Sequence, residues 1–336
     1  MIARLSTKTV SQMARRKQVI SQRPAVPAPG GTAVTSPAVA LPPQRVVPPY
    51  PTLPRTNSRQ RQSKSYVLPV MDTDFLLRDE LRGVRFALEY EKAELVLRDA
   101  GIRSTVVCFG SARIPSPEEA KNEMHVARGK NERQLARRRL RLSAYYEQAR
   151  EFGRIVSQRG GALTRDRGLR DNVIATGGGP GIMEAACRGA ADVGAPAIGF
   201  NISLPMEQEP NRYTTPSLTF QFHYFAMRKM HLAMRANALA VFPGGFGTMD
   251  EMFEILTLLQ TQKASPLPVV LFGRAYWRSV VNFGALFEHG MVSIEDLALF
   301  DIVDDAEKAW ESLLRRGLSV PNPRVRKPRE KRRPKR

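Results

Sequence analysis

Apolar residues in this chain form two kinds of pattern that alternate along its length. Short continuous runs occupy positions 105–109, 172–176, 197–202, 218–222, 238–242 and 268–273. They are rich in Val, Ile and Phe and bounded by Gly or Pro, which predicts strands buried on both faces. Between them the spacing becomes helical. Leu77, Leu81, Val84, Leu88 and Leu95 share one face of a helix predicted over 75–100. A long helix or helical pair is predicted over 117–158, and further helices after residue 181, around 224–232, over 252–259, 275–288 and 305–316, with a short segment at 294–301. Strands alternating with helices predict an α/β fold, a doubly wound, mostly parallel sheet with helices on both faces.

Composition changes this picture only at the ends. The 336 residues carry a formal charge of +20, which suggests a polyanion partner until the charge is located. Residues 1–71 hold eleven Lys or Arg and no acid, and residues 324–336 hold nine with the single acid Glu330, so positions 72–323 are left with about +1. The expected organisation is therefore a disordered, basic, Pro-rich tail over 1–70, one folded domain over 71–320 with a helical insertion at 115–158, and a disordered basic tail over 321–336. The Arg-rich start resembles an organelle transit peptide, but its length and proline content favour a solvated tail that contacts nucleic acid non-specifically. The run Arg137-Arg138-Arg139-Leu140-Arg141 reads as a solvated helix face, since acids and apolar residues surround it. Cys108 and Cys187 read as buried reduced thiols, which points to the cytoplasm. No apolar run reaches membrane-spanning length, and the four histidines lack metal-ligand spacing, so neither a membrane nor a metal is expected.

The chemistry concentrates at two glycine turns. Pro243-Gly244-Gly245-Phe246-Gly247-Thr248-Met249-Asp250-Glu251 lies between a predicted strand and a predicted helix. Glycines let backbone amides approach an oxyanion, and a helix start favours negative charge. Thr248 can add a hydroxyl, and Glu251 places a carboxylate beside the cradle. Thr248-x-x-Glu251 also has the spacing of a capping box, the purely structural alternative. Upstream, Gly177-Gly178-Gly179-Pro180-Gly181-Ile182-Met183-Glu184 forms a second cradle, with neither the dinucleotide spacing nor a Walker lysine. Gly110-Ser111 ends the first strand, where open parallel sheets bind ligands. Arg228 and Lys229 precede the strand predicted at 238–242, and in isolation such a pair is a surface charge.

Taken together, the second cradle, Met227-Arg228-Lys229 and the motif Pro-Gly-Gly-x-Gly-Thr-x-x-Glu resemble the LONELY GUY (LOG) family, long mislabelled as lysine decarboxylases. The resemblance covers roughly residues 75–318, and the insertion and the phrase Leu204-Pro205-Met206-Glu207-Gln208 look like its larger bacterial branch. It implies a Rossmann-like fold, a dimer-based oligomer, and hydrolysis of nucleoside 5′-monophosphates such as AMP or cytokinin riboside monophosphates to free base and ribose 5-phosphate. By position, Arg228 and Glu251 match the family's catalytic pair. Gly244, Gly245, Gly247 and Thr248 match its phosphate turn. Gly110, Ser111 and Gly177 to Gly179 line the corresponding cleft, with Gly181 and Lys229 assigned to nucleotide binding beside them. No cofactor is implied, and no lysine sits in a pyridoxal-phosphate context. Two other readings stay open: a nucleotide carrier of the same fold without turnover, and a nucleic-acid-associated protein working through its tails.

Overall fold

The structure, a computed structural model, describes residues 57–163, 168–204 and 209–321. All of these belong to the second of the chain's two units, Thr35–Arg336. The tails expected to be disordered lie outside the described residues, except that 57–71 form three short helical turns with no buried side chain.

Seven strands build one sheet: β1 (Thr105–Phe109), β2 (Val173–Thr176), β3 (Ala197–Ile202), β4 (Thr219–Phe222), β5 (Ala236–Val241), β6 (Val269–Phe272) and β7 (Phe300–Val303). Their order is β4-β3-β2-β1-β5-β6-β7, and every pairing is parallel. The six predicted strands are present, and β1, β2 and β6 are buried at every position, as the continuous apolar runs require. β7 appears where a short undefined segment was expected. Its half-buried edge position removes the unbroken apolar signature of the central strands.

The helices of six or more residues are α1 (Arg82–Asp99), α2 (Pro117–Val126), α3 (Lys130–Arg159), α4 (Ile182–Ala191), α5 (Phe225–Met234), α6 (Phe246–Gln260), α7 (Arg274–Val280), α8 (Phe283–Glu288) and α9 (Ala306–Arg315). The insertion is thus a helical pair, opened by a capping box at Ser116. The backbones of α3 and α4 approach closely: a Cβ on Gly153 would meet the Ala186 carbonyl oxygen at 2.2 Å, and one on Gly189 the Arg150 oxygen at 1.9 Å. Phe152 meets Phe272 edge-on at 5.5 Å, and Phe272 stacks on Phe242 at 4.0 Å, joining α3 to the centre of the sheet.

The expected core face of the first helix is corrected. Leu77 is 70% exposed and Leu88 52%, and α1 buries Ala93 and Leu97 instead. Polar contacts set its rotation. Glu94 makes a bidentate pair with Arg235, both bonds 2.6 Å, and Glu89 accepts from the His223 and Tyr224 amides. Charge-assisted bonds of that geometry outweigh the leucine stripe in choosing which face turns inward.

Candidate active site

The strand order reverses at β1, whose neighbours are β2 and β5. Ligands of open α/β sheets bind at such a switch, outside the carboxyl ends of the strands. Three turns meet there. The Ser111 amide donates to the Pro243 carbonyl at 3.0 Å, and the Ile182 amide donates to the Ser111 carbonyl at 3.2 Å. The sequence-assigned groups Gly110-Ser111, Gly177–Gly181 and Gly244–Thr248 are therefore brought together.

The turn after β2 is held rigidly. Gly178 takes φ +71°, and a Cβ there would overlap the Asn201 side chain. Its amide donates to Thr176 Oγ1 at 3.0 Å, and its carbonyl accepts from the Asn211 amide at 2.8 Å. Asn211 Nδ2 donates to the Gly179 carbonyl at 3.0 Å. Asn211 is a site-forming residue that the sequence reading missed, because a single Asn in a loop carries no periodicity or motif.

The turn after β5 opens α6 one and a half turns earlier than the apolar pattern at 252–259 suggested. Gly245 is the N-cap and makes no side-chain cap. Thr248 lies inside the first turn with its Oγ1 packed on Gly244, where a Cβ would sit 2.0 Å away. The capping-box alternative is thereby excluded. Tyr276 Oη donates to the Gly244 carbonyl at 2.5 Å and braces the turn from α7.

Helix starts along this edge of the sheet divide into two groups. Ser116 caps α2 and Asp305 caps α9. Glu89 accepts the amides preceding α5, and Asp304 accepts the first amide of α7 at 2.8 Å. The two glycine-turn helices, α4 and α6, have no side-chain cap. The first amide of α4 is taken by the Ser111 carbonyl, whereas the first amides of α6 have no intrahelical acceptor, and the dipole of each helix adds positive potential. Open amides beside close-approach glycines make an anion site.

Against these turns lies a buried ion pair. Arg228 Nη2, from the first turn of α5, stands 4.0 Å from Glu251 Oε1, and Glu251 is only 7% exposed. A Cβ on Gly177 would lie 2.8 Å from Arg228 Nη2 and 2.9 Å from Met183 Sδ, so this glycine admits the guanidinium to the cleft. Arg228 Nε is buried without a hydrogen-bond partner. Burial raises the Glu251 pKa, opposed by the Arg228 and Lys229 charges, and burial lowers that of Arg228, opposed by Glu251. Phe225, half exposed, flanks the guanidinium with its ring centroid 5.9 Å away.

Lys229, assigned to nucleotide binding from the sequence, is engaged by two carboxylates. Its ammonium is engaged at 2.8 Å by both Asp250 and Glu254, so it ties α5 to α6 and keeps Arg228 facing Glu251. Among the described residues no cluster of His, Cys, Asp and Glu could hold a metal, and no helix is long and apolar enough to cross a membrane. Cys108 and Cys187 are buried free thiols.

Residues 183–313 match the family model described as "possible lysine decarboxylase". No curated protein matches the chain. Among solved structures, the chain is similar to a molybdenum cofactor binding protein from the phototrophic bacterium Rippkaea orientalis, at 17% identity over 62% of this chain and 94% of that one, with a TM-score of 0.37. It is also similar to the structural-genomics target TM1055, at 18% identity over 63% and 99% of the two chains, with a TM-score of 0.39.

Proposed function

We propose, for a chain that belongs to the LOG-like family formerly described as possible lysine decarboxylase, that it hydrolyses the N-glycosidic bond of nucleoside 5′-monophosphates. AMP or an N6-substituted adenine nucleotide plus water gives the free base and ribose 5-phosphate. One observation carries the reading: a buried carboxylate and guanidinium 4.0 Å apart, on elements that also form an uncapped, glycine-lined helix start.

The 5′-phosphate sits on the open amides of Gly245 to Thr248, with the Thr248 hydroxyl as a further donor. Glu251 follows one turn later, so a phosphate in the cradle holds the ribose beside the carboxylate. Breaking the C1′–N bond develops positive charge on the ribosyl ring. A carboxylate in a site that excludes most water stabilises that charge more than it would in bulk solvent. The same carboxylate aligns the attacking water, whose oxygen ends on C1′ while a proton goes to the departing base nitrogen. Arg228 holds Glu251 in its ionised form and reaches a ribose or phosphate oxygen with its remaining donors.

The test is incubation of the protein and of Glu251→Gln with AMP, GMP, CMP, IMP and isopentenyladenosine monophosphate, followed by chromatography for free base. Release by the wild type and its loss in the variant is the expected result. Binding of a nucleotide without release of base from any of them would overturn the reading and make the protein a carrier.

A further inference from the structure

The first half of α3 presents a single-sign face. Lys130, Arg133, Arg137 and Arg141 recur at steps of three, four and four, which stacks them along one side of a helix, and all are exposed. Arg138, also exposed, flanks the row. The opposite side carries the buried Ala136, Ser143 and Tyr146, so the row points away from the domain. None of these five cations has a carboxylate within ion-pair distance among the described residues. The acids that interleave the sequence here are used elsewhere. Glu132 accepts from the Arg128 and Gly129 amides at the helix start, and Glu123 is paired with Arg139 at 2.5 Å. The face is solvated, as the sequence suggested, but the acids interleaved with it do not pair with the row.

Like charges four residues apart destabilise a helix, so an unbroken row works against the element that bears it. A partner of opposite charge relieves that repulsion. Lys130 to Arg141 span about 16 Å on a straight helix. A nucleic-acid duplex is a stiff rod with one phosphate charge per about 1.7 Å of axis, so it meets the whole row without bending. A lipid surface fits less well. An interfacial helix needs an apolar face free to enter the membrane, and the inner face of α3 is occupied by the domain core.

We propose that the outer face of α3 over residues 130–141 docks the phosphate backbone of a nucleic-acid duplex without reading its sequence. This proposal does not depend on the glycosidase reading.

The experiment is fluorescence anisotropy of the full chain with a labelled 20-base-pair DNA duplex across a salt series. Three proteins are compared: wild type, the triple variant Arg133→Gln, Arg137→Gln, Arg141→Gln, and the charge-matched control Arg332→Gln, Arg333→Gln, Arg336→Gln in the carboxyl-terminal tail. Loss of three phosphate contacts lowers the slope of log affinity against log salt by roughly 2 to 3. The α3 triple is expected to show that fall with at least a tenfold loss of affinity, and the tail triple less than half of it. The single reversal Arg137→Glu, read with the melting temperature, covers the case in which the triple variant is poorly folded. The proposal is overturned if the wild type does not bind, if the α3 variants bind as the wild type does, or if the tail control loses as much as the α3 triple. A variant that loses phosphatidylserine vesicles but keeps the duplex overturns it as well.

Discussion

Glu251 is held in a state that costs the fold and that the proposed reaction would use. Burial raises its pKa, so the folded protein binds this proton more tightly than the unfolded chain does. The sign follows: stability is greater below the folded pKa and is lost as pH rises through it. In the proposed reaction activity runs the other way, because there the carboxylate is the working form. Base release is expected to fall on the acid side with an inflection above the ordinary value of 4.5, read from kcat/KM against pH. Glu251→Gln should lower kcat by about 10²–10⁴-fold, the usual range for a lost acid–base or oxyanion partner, while its melting temperature at pH 7.5 equals or exceeds that of the wild type. A variant that is both inactive and less stable would mean that the residue was needed for folding. His231, one turn beyond Arg228 on α5, gives a separate signal. It is buried among Tyr90, Phe200 and Phe222 with no partner for either ring nitrogen at hydrogen-bond geometry, and burial lowers its pKa, with Glu94 and the Tyr90 backbone opposing and Arg235 assisting. As pH falls below 6.5, the unfolded chain takes up a proton that the folded chain refuses, and stability drops. The difference in melting temperature between His231→Phe and the wild type should therefore grow from pH 7.5 to pH 5.5, in favour of the variant. A pH-independent difference would contradict this assignment.

On the proposed reading, helix α6 is the element in which function overrides stability. Gly247 has open space around its Cβ position and no left-handed φ, so nothing in the fold requires glycine there. Alanine should strengthen the helix by about 0.5–1 kcal/mol and still harm the protein's work, because its methyl group occupies the approach of the anion. The expected result for Gly247→Ala is an unchanged or higher melting temperature with KM for AMP raised about tenfold, the equivalent of one ideal charge-assisted bond. Gly244→Ala differs, since its Cβ would displace Thr248, and both stability and binding should fall. Elements of this kind were legible in sequence in proportion to how completely they are buried. Central strands buried on both faces write continuous apolar runs. Edge strand β7 does not, since Asp301 within it is paired with Arg315 and Arg316. Helix α1 misled for the opposite reason, because its best apolar face is not the one its ion pairs turn inward.

At the scale of the whole molecule, the site is the meeting of three turns that the strand order forces together. Its glycines and Glu251 were readable because they belong to motifs with a mechanism, whereas Arg228 was picked out only by the family resemblance. The residues that brace it were not. Asn211 and Tyr276 bond to backbone carbonyls from distant positions, and Glu89 to backbone amides, which leaves no trace in spacing. Charge is divided in the same way. The site lies in a nearly neutral body, whereas the chain as a whole carries +20, most of it beyond positions 72–323. A nucleoside monophosphate is an anion, so appended positive charge raises its local concentration only over distances that salt leaves unscreened. Removing residues 1–56 and 322–336 should therefore leave kcat unchanged within about twofold, an effect under half a kcal/mol, at every ionic strength. KM for AMP should rise on truncation only at low salt and converge with that of the full chain near 0.15 M, where the screening length is about 8 Å. Initial rates of both proteins across a salt series decide it. A truncated protein with a reduced kcat at all salt concentrations would show that a residue outside the described core takes part in the reaction.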